Sequence, residues 1–66
     1  MKKGKVKFYN SKSGFGFIIE SQSGNEYYFK EKNLIENVED NDLVEFDLIE
    51  AKRGFEAIKI KKTTLE

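Results

Sequence analysis

The run Phe15-Gly16-Phe17-Ile18 sets two phenylalanines two residues apart. On a strand, where successive side chains alternate across the pleat, those two rings share a face. Gly16 and Ile18 then point the other way, toward what is naturally the core. The rings are left facing solvent or a partner, flanked by glycines and by Lys12. Exposed aromatics beside cations make a surface that stacks nucleobases and tracks a phosphate backbone. The bland alternative is a core strand whose glycines mark a bulge or a tight crossing. A second aromatic stretch, Glu26-Tyr27-Tyr28-Phe29, weighs against it. After the turn-rich Ser21-Gln22-Ser23-Gly24-Asn25, a hairpin partner returns and brings Tyr28 alongside Phe15 and Phe17, so two adjacent strands make one aromatic platform.

Lys12 followed by Gly14-Phe15-Gly16-Phe17-Ile18 is similar to the first ribonucleoprotein motif of the cold-shock domain, and Tyr27-Tyr28-Phe29-Lys30 stands where the second motif belongs. From Gly4 to Lys62 the chain resembles a bacterial cold-shock protein in length, motif order and spacing. The resemblance implies an all-β chain, a five-stranded antiparallel barrel of the oligonucleotide/oligosaccharide-binding fold, that binds single-stranded RNA and DNA. There are departures. Lys30 stands where the second motif usually has histidine, and Glu31 where many members carry another aromatic. One stacking surface is thereby lost; Lys30 offers a phosphate contact instead, whereas Glu31 repels the backbone if it points toward it. Phe8 resembles the position of an exposed aromatic that is usually tryptophan, and so reads as a third stacking ring with a smaller face.

Sixty-six residues form one domain, residues 1–66, near the lower size limit for a core that holds a fold unaided. A chain this short buries only about 60% of its unfolded surface, and a compact barrel is the economical answer. Absence of cysteine excludes disulfides and thiolate metal sites, and absence of histidine removes the other common zinc and general-base ligand. No metal and no cofactor are expected. No apolar run approaches the roughly 18 residues that span a bilayer, and Met1-Lys2-Lys3 is not followed by an apolar signal stretch. A cytoplasmic protein without membrane contact is expected.

Net charge is zero, but the charge is sorted along the chain. Residues 1 to 19 hold five lysines and no acid, residues 33 to 50 seven acids and no base, and residues 51 to 62 five bases and one acid. If the basic ends share a side with the aromatic strands, that side attracts phosphates while the acids lie elsewhere. Solvated faces that happen to alternate are the other reading.

Along the chain, Val6 is a core candidate, and Phe8 would share its face under strict alternation. Displaying Phe8 to a ligand therefore requires a twist or bulge between them. Tyr9 is either partly buried or at the platform's edge. Asn10 to Gly14 has turn composition and positions Lys12 beside the rings. Tyr27 and Phe29, opposite in face to Tyr28 and Lys30, read as core. In the connection from Glu31 to Asp42, Leu34 and Val38 are four apart and suit one face of a short helical turn. Val44, Phe46 and Leu48 alternate with Glu45 and Asp47, the clearest strand in the chain. Ala51 to Gly54 reads as a hairpin connection, and Phe55 to Lys62 as a last strand with Ile58 and Ile60 inward and Lys59 and Lys61 outward. Phe55, beside Arg53 and Gly54 at the rim, either extends the binding surface or closes the core. Leu65 and Glu66 fit an appended cloning remnant.

No catalytic residue is expected. The carboxylates fall in an acidic, solvated stretch without the histidine, cysteine or apolar pocket that would tune one, and no phosphate-cradling loop is present. The expected function is binding of single-stranded RNA or DNA with little sequence preference, by a monomer; the resemblance implies the role of an RNA chaperone. Phe8, Phe15, Phe17 and Tyr28 would stack bases, Lys7, Lys12 and Lys30 would meet phosphates, and Asn10 would join them. Tyr9, Arg53 and Phe55 are secondary candidates. A protein-interaction module on a similar barrel, or one domain excised from a longer nucleic-acid-binding protein, is the alternative.

Overall fold

Five stretches, two of them broken by bulges, become five strands in the computed structural model, which describes residues 1–52 and 54–63. They are β1 Lys2–Asn10, β2 Phe15–Glu20, β3 Glu26–Lys30, β4 Leu43–Ala51 and β5 Gly54–Lys62. Their order around a closed barrel is β1-β2-β3-β5-β4. Among the described residues the only helical element is a single 3-10 turn, Glu31–Asn33, and no helix is long and apolar enough to cross a membrane.

The inward faces supply the core. Val6, Ile18, Phe29, Val44, Phe46, Ala57 and Ile60 are fully buried and Val38 nearly so, with Tyr9, Tyr27, Leu34 and Leu48 packed around them. Burying a Val, Ile or Phe side chain of this kind stabilises by about 1.5–3 kcal/mol, so these few residues outweigh every surface ion pair in the molecule. Phe29 and Phe46 are the largest of them, as the alternation of their strands requires.

The bulge expected between Val6 and Phe8 is present. Val6 lies opposite Ile18 but Phe8 lies opposite Phe17, so one extra residue, Lys7, is inserted in β1. The insertion reverses the facing of everything after it: Val6 is buried, while Phe8 emerges on the outer side of the sheet.

Three expectations need correction. The barrel is not wholly antiparallel, because β3 meets β5 in parallel at Tyr28 and Glu56. Directions cannot alternate all the way round a closed ring with an odd number of strands, so at least one neighbouring pair must run parallel. Second, Ile58 does not reach the core. Asp47 lies opposite Ile58 and Glu45 opposite Lys61, which places an extra residue in β5. Lys59 there takes a positive φ of 53°. The inward positions become Ala57 and Ile60, three apart, and Ile58 is only half-buried. Third, Leu34 and Val38 do not share a helical face. The helical turn ends before Leu34, which is extended and bridges to Ile60. Val38 is buried from a separate stretch of the loop.

Candidate nucleic-acid interface

On the outer side of β1, β2 and β3 the register sets Phe8 opposite Phe17, Phe17 opposite Tyr28, and Phe15 opposite Lys30. The four rings form one cluster. Phe15 stacks on Tyr28 at 5.9 Å between centroids, and Phe17 meets Tyr28 edge-on at 5.8 Å. Phe8 contacts Phe17 at 5.5 Å and Phe15 at 6.0 Å. Each ring is partly exposed. Such T-shaped and offset contacts fix ring orientation and leave part of each π-face open.

The reverse side explains the glycine between the rings. Gly16 lies opposite Tyr9 on β1 and opposite Phe29 on β3. Those two rings stack on each other at 5.6 Å. A Cβ on Gly16 would run into the Phe8 carbonyl oxygen and sit 2.7 Å from the Phe29 ring. Tyr9 is thus part of the core packing beneath the platform and does not belong to the platform's face. Its N–H donates to Asp40 Oδ1 at 2.9 Å, and burial, with the Glu31 carboxylate second, pushes its hydroxyl above the usual tyrosine range.

The turn between β1 and β2 is organised by Asn10. Its side-chain oxygen accepts the N–H groups of Lys12 and Ser13 at 3.0 and 3.2 Å, and its carbonyl accepts the Gly14 N–H at 2.8 Å. Gly14, at φ 76°, completes the turn. Asn10 therefore acts first as the scaffold that holds the Lys12 backbone.

The lysines differ in how free they are. Lys12 and Lys30 are exposed, and neither forms an ion pair among the described residues. Lys7 is engaged, donating to both Glu26 carboxylate oxygens at 3.1 and 3.2 Å. Glu31 lines a separate depression with Tyr9 and Asp40, away from the groove that Phe17 and Tyr28 line. Phe55 is 56% exposed, which settles against its closing the core. It lines a groove with Phe17, Tyr28, Lys30 and Lys52. Arg53 lies outside the described residues.

Two residues near the rings were not singled out from sequence. Lys52 falls in the hairpin connection, and its place next to Arg53 and near Phe55 is the signal that could have found it. Glu26, which opens the second aromatic stretch, carries no signal of its own. It sits two positions before Tyr28 on the same face, which places it beside the platform.

Comparison with known proteins identifies the family. Residues 2–63 match the model of the 'Cold-shock' DNA-binding domain. Cold shock protein CspA of Staphylococcus aureus is 35% identical over 65 residues, covering 94% of this chain and 98% of that protein. The cold shock-like protein of Thermotoga maritima is 32% identical over 62 residues, covering 89% and 94%. The solved structure "drosophila Unr CSD456" superposes with a TM-score of 0.78 at 22% identity, over 98% of this chain and 29% of that one, a likeness of fold. Barrel, motif order and family model agree: the chain belongs to the cold-shock domain family, which binds nucleic acid.

Proposed function

We propose that this protein binds single-stranded RNA or DNA with little sequence preference and holds it unpaired, acting as an RNA chaperone and as a monomer in the cytoplasm. The observation that carries this reading is the contiguous cluster of Phe8, Phe15, Phe17 and Tyr28 on one face of the barrel, with exposed Lys30 opposite Phe15 and exposed Lys12 in the turn between β1 and β2. A partly exposed ring offers its face to any base, because every base has a π-face, and this makes recognition tolerant of sequence. A duplex buries the base faces against one another, so only an unpaired strand can use the platform. Lys12 and Lys30, with Lys7 when Glu26 yields it, would neutralise backbone phosphates, each adding about 0.7 to the slope of log affinity against log salt.

Chaperoning then needs no energy source. A protein that binds the open strand and not the hairpin shifts the equilibrium by mass action, by about 2.7 kcal/mol at 100 times its Kd. That is enough to open weak hairpins and too little to melt long ones.

The test is titration of a labelled oligo-dT hexamer by fluorescence anisotropy at two salt concentrations, beside a Phe15→Ala/Phe17→Ala variant checked for folding by circular dichroism. Each stacked base is worth about 1–3 kcal/mol, so removing one ring weakens binding by roughly 5- to 150-fold and removing both weakens it further. A folded wild-type protein that leaves the oligomer free at micromolar concentration would refute the reading.

A further inference from the structure

The ring cluster continues into a groove of about 610 Å³ at the edge where β3 meets β5. Phe17 and Tyr28 line it from the platform, Phe55 from the start of β5, and Lys30, Lys52 and Glu56 complete the charged part of its wall. Phe55 differs from the platform rings in two ways. It is the most exposed of the described phenylalanines at 56%, and among the described residues it contacts no other ring. An aromatic side chain in the wall of a concave aromatic groove, held against no other ring, has faces that ring packing does not use.

The charges are arranged for a phosphodiester. Lys30 and Lys52 are exposed and form no ion pair among the described residues. The one acid in the lining is Glu56. Its Oε2 accepts a hydrogen bond from Asn33 Nδ2 at 2.6 Å, which ties the carboxylate to the 3-10 turn.

We infer that this groove is a base clamp, taking one unpaired nucleobase between the platform rings of Phe17 and Tyr28 and the ring of Phe55, with Lys30 and Lys52 receiving the phosphates on its two sides. The inference rests on the single-strand reading above and extends it. A strand lying on the platform runs on toward the β4–β5 hairpin, and one of its bases is enclosed where the others are stacked openly. Enclosure makes the clamp the part of the surface that discriminates most strongly against paired bases, because a base cannot enter the groove while its edge and both faces are engaged in a duplex. Phe55 also adds a ring next to Lys30, which ends β3, and near the turn that Glu31 opens, positions that carry none themselves.

The protein contains no tryptophan, so Phe55→Trp places a single indole at the groove. Its emission is followed while oligo-dT hexamer, or a blunt duplex of the same length, is added. Phe55→Ala, Lys52→Ala and Phe15→Ala/Phe17→Ala are titrated in parallel against the labelled hexamer by anisotropy. Because Phe55 is exposed, its truncation leaves the fold intact by circular dichroism. The clamp requires indole quenching by the single strand and not by the duplex. It also requires a 5- to 150-fold loss of affinity in Phe55→Ala and a salt slope lower by about 0.7 in Lys52→Ala. If the hexamer binds Phe55→Ala as tightly as wild type while Phe15→Ala/Phe17→Ala loses it, the clamp is wrong and the platform stands. Equal quenching by duplex and single strand also overturns it. If wild type binds no hexamer, the clamp and the platform reading fall together.

Discussion

Lys7 Nζ donates to both oxygens of the Glu26 carboxylate, at 3.1 and 3.2 Å, joining the bulge of β1 to the start of β3 across the outer side of β2. Both side chains are about half exposed, so the pair adds little to stability, on the order of 0–1 kcal/mol. Its larger consequence is for ligand binding, since a phosphate approaching Lys7 must compete with a carboxylate already in place.

Glu26→Gln is therefore expected to raise affinity for an oligo-dT hexamer by up to about 5-fold at low salt. It should steepen the salt slope by about 0.7, because one more lysine becomes available. Thermal stability should move little. Anisotropy titrations at three salt concentrations decide it, and a Glu26→Gln protein with the wild-type slope would show that Lys7 takes no part in binding.

Gly16→Ala tests whether the platform and the core beneath it are one structure. The added methyl meets the Phe8 carbonyl oxygen, which is backbone and cannot swing aside, and the Phe29 ring, which is locked by Tyr9 and the core. Overpacking of this kind costs about 1–3 kcal/mol, and in a domain of this size each kcal/mol lowers Tm by about 4–8 °C. Urea and thermal melts measure it. Unchanged melts would mean that β1 and β3 part easily at this crossing.

Much of this arrangement was legible in the sequence, and the boundary has physical reasons. Alternation set Phe15 and Phe17 on one face, the aromatic stretch of β3 marked that face as the outer one, and alternation put Phe29 and Phe46 inside. The need to display Phe8 while burying Val6 announced the bulge at Lys7. The second bulge carried no such sign. Lysine rarely adopts positive φ, so nothing marked Lys59 as the residue after which β5 changes phase, and Ile58 rather than Ala57 looked like core. The Lys7–Glu26 pair was hidden because it spans two strands that are not neighbours and depends on both registers at once. The placement of Phe55 depended on where the chain closes the barrel, which local pattern does not encode.

Glu20 gives the fold a defined acid sensitivity. It is 7% exposed on the inner face of β2. It accepts the Ser23 hydroxyl at 2.8 Å, the Tyr27 hydroxyl at 3.2 Å and Lys2 Nζ at 3.4 Å. The Ser23 hydrogen bond leads in holding its carboxyl below the usual range; burial opposes this, while Lys2 and Tyr27 assist. Because the folded value lies below the unfolded one, near 4.5, the stabilisation is present above that pH and is lost as pH falls through the lowered folded value. Urea midpoints of wild type and Glu20→Gln should thus converge as pH falls from 4.5 through the lowered folded value. Curves that stay parallel through this range would remove Glu20 as the cause.

Phe8 offers the sharpest separation of two roles that a ring in a cluster can play. It touches Phe17 and Phe15 from the β1 side, so it either presents a face to a base or only props the other two rings. Phe8→Ala weakens binding under both roles and does not distinguish them. Phe8→Trp does. If Phe8 stacks a base, the wider indole face gains contact area with the ligand, affinity rises by up to about 5-fold, and the new emission is quenched as the oligomer binds. If Phe8 is only a prop, a larger ring crowds Phe15 and Phe17, and affinity stays level or falls while the emission is little affected. Partial exposure of Phe8 at the bulge, with its neighbours at tilted and edge-on angles rather than covering its face, favours the first outcome. One titration of Phe8→Trp, read by emission and by anisotropy of the labelled hexamer, chooses between them.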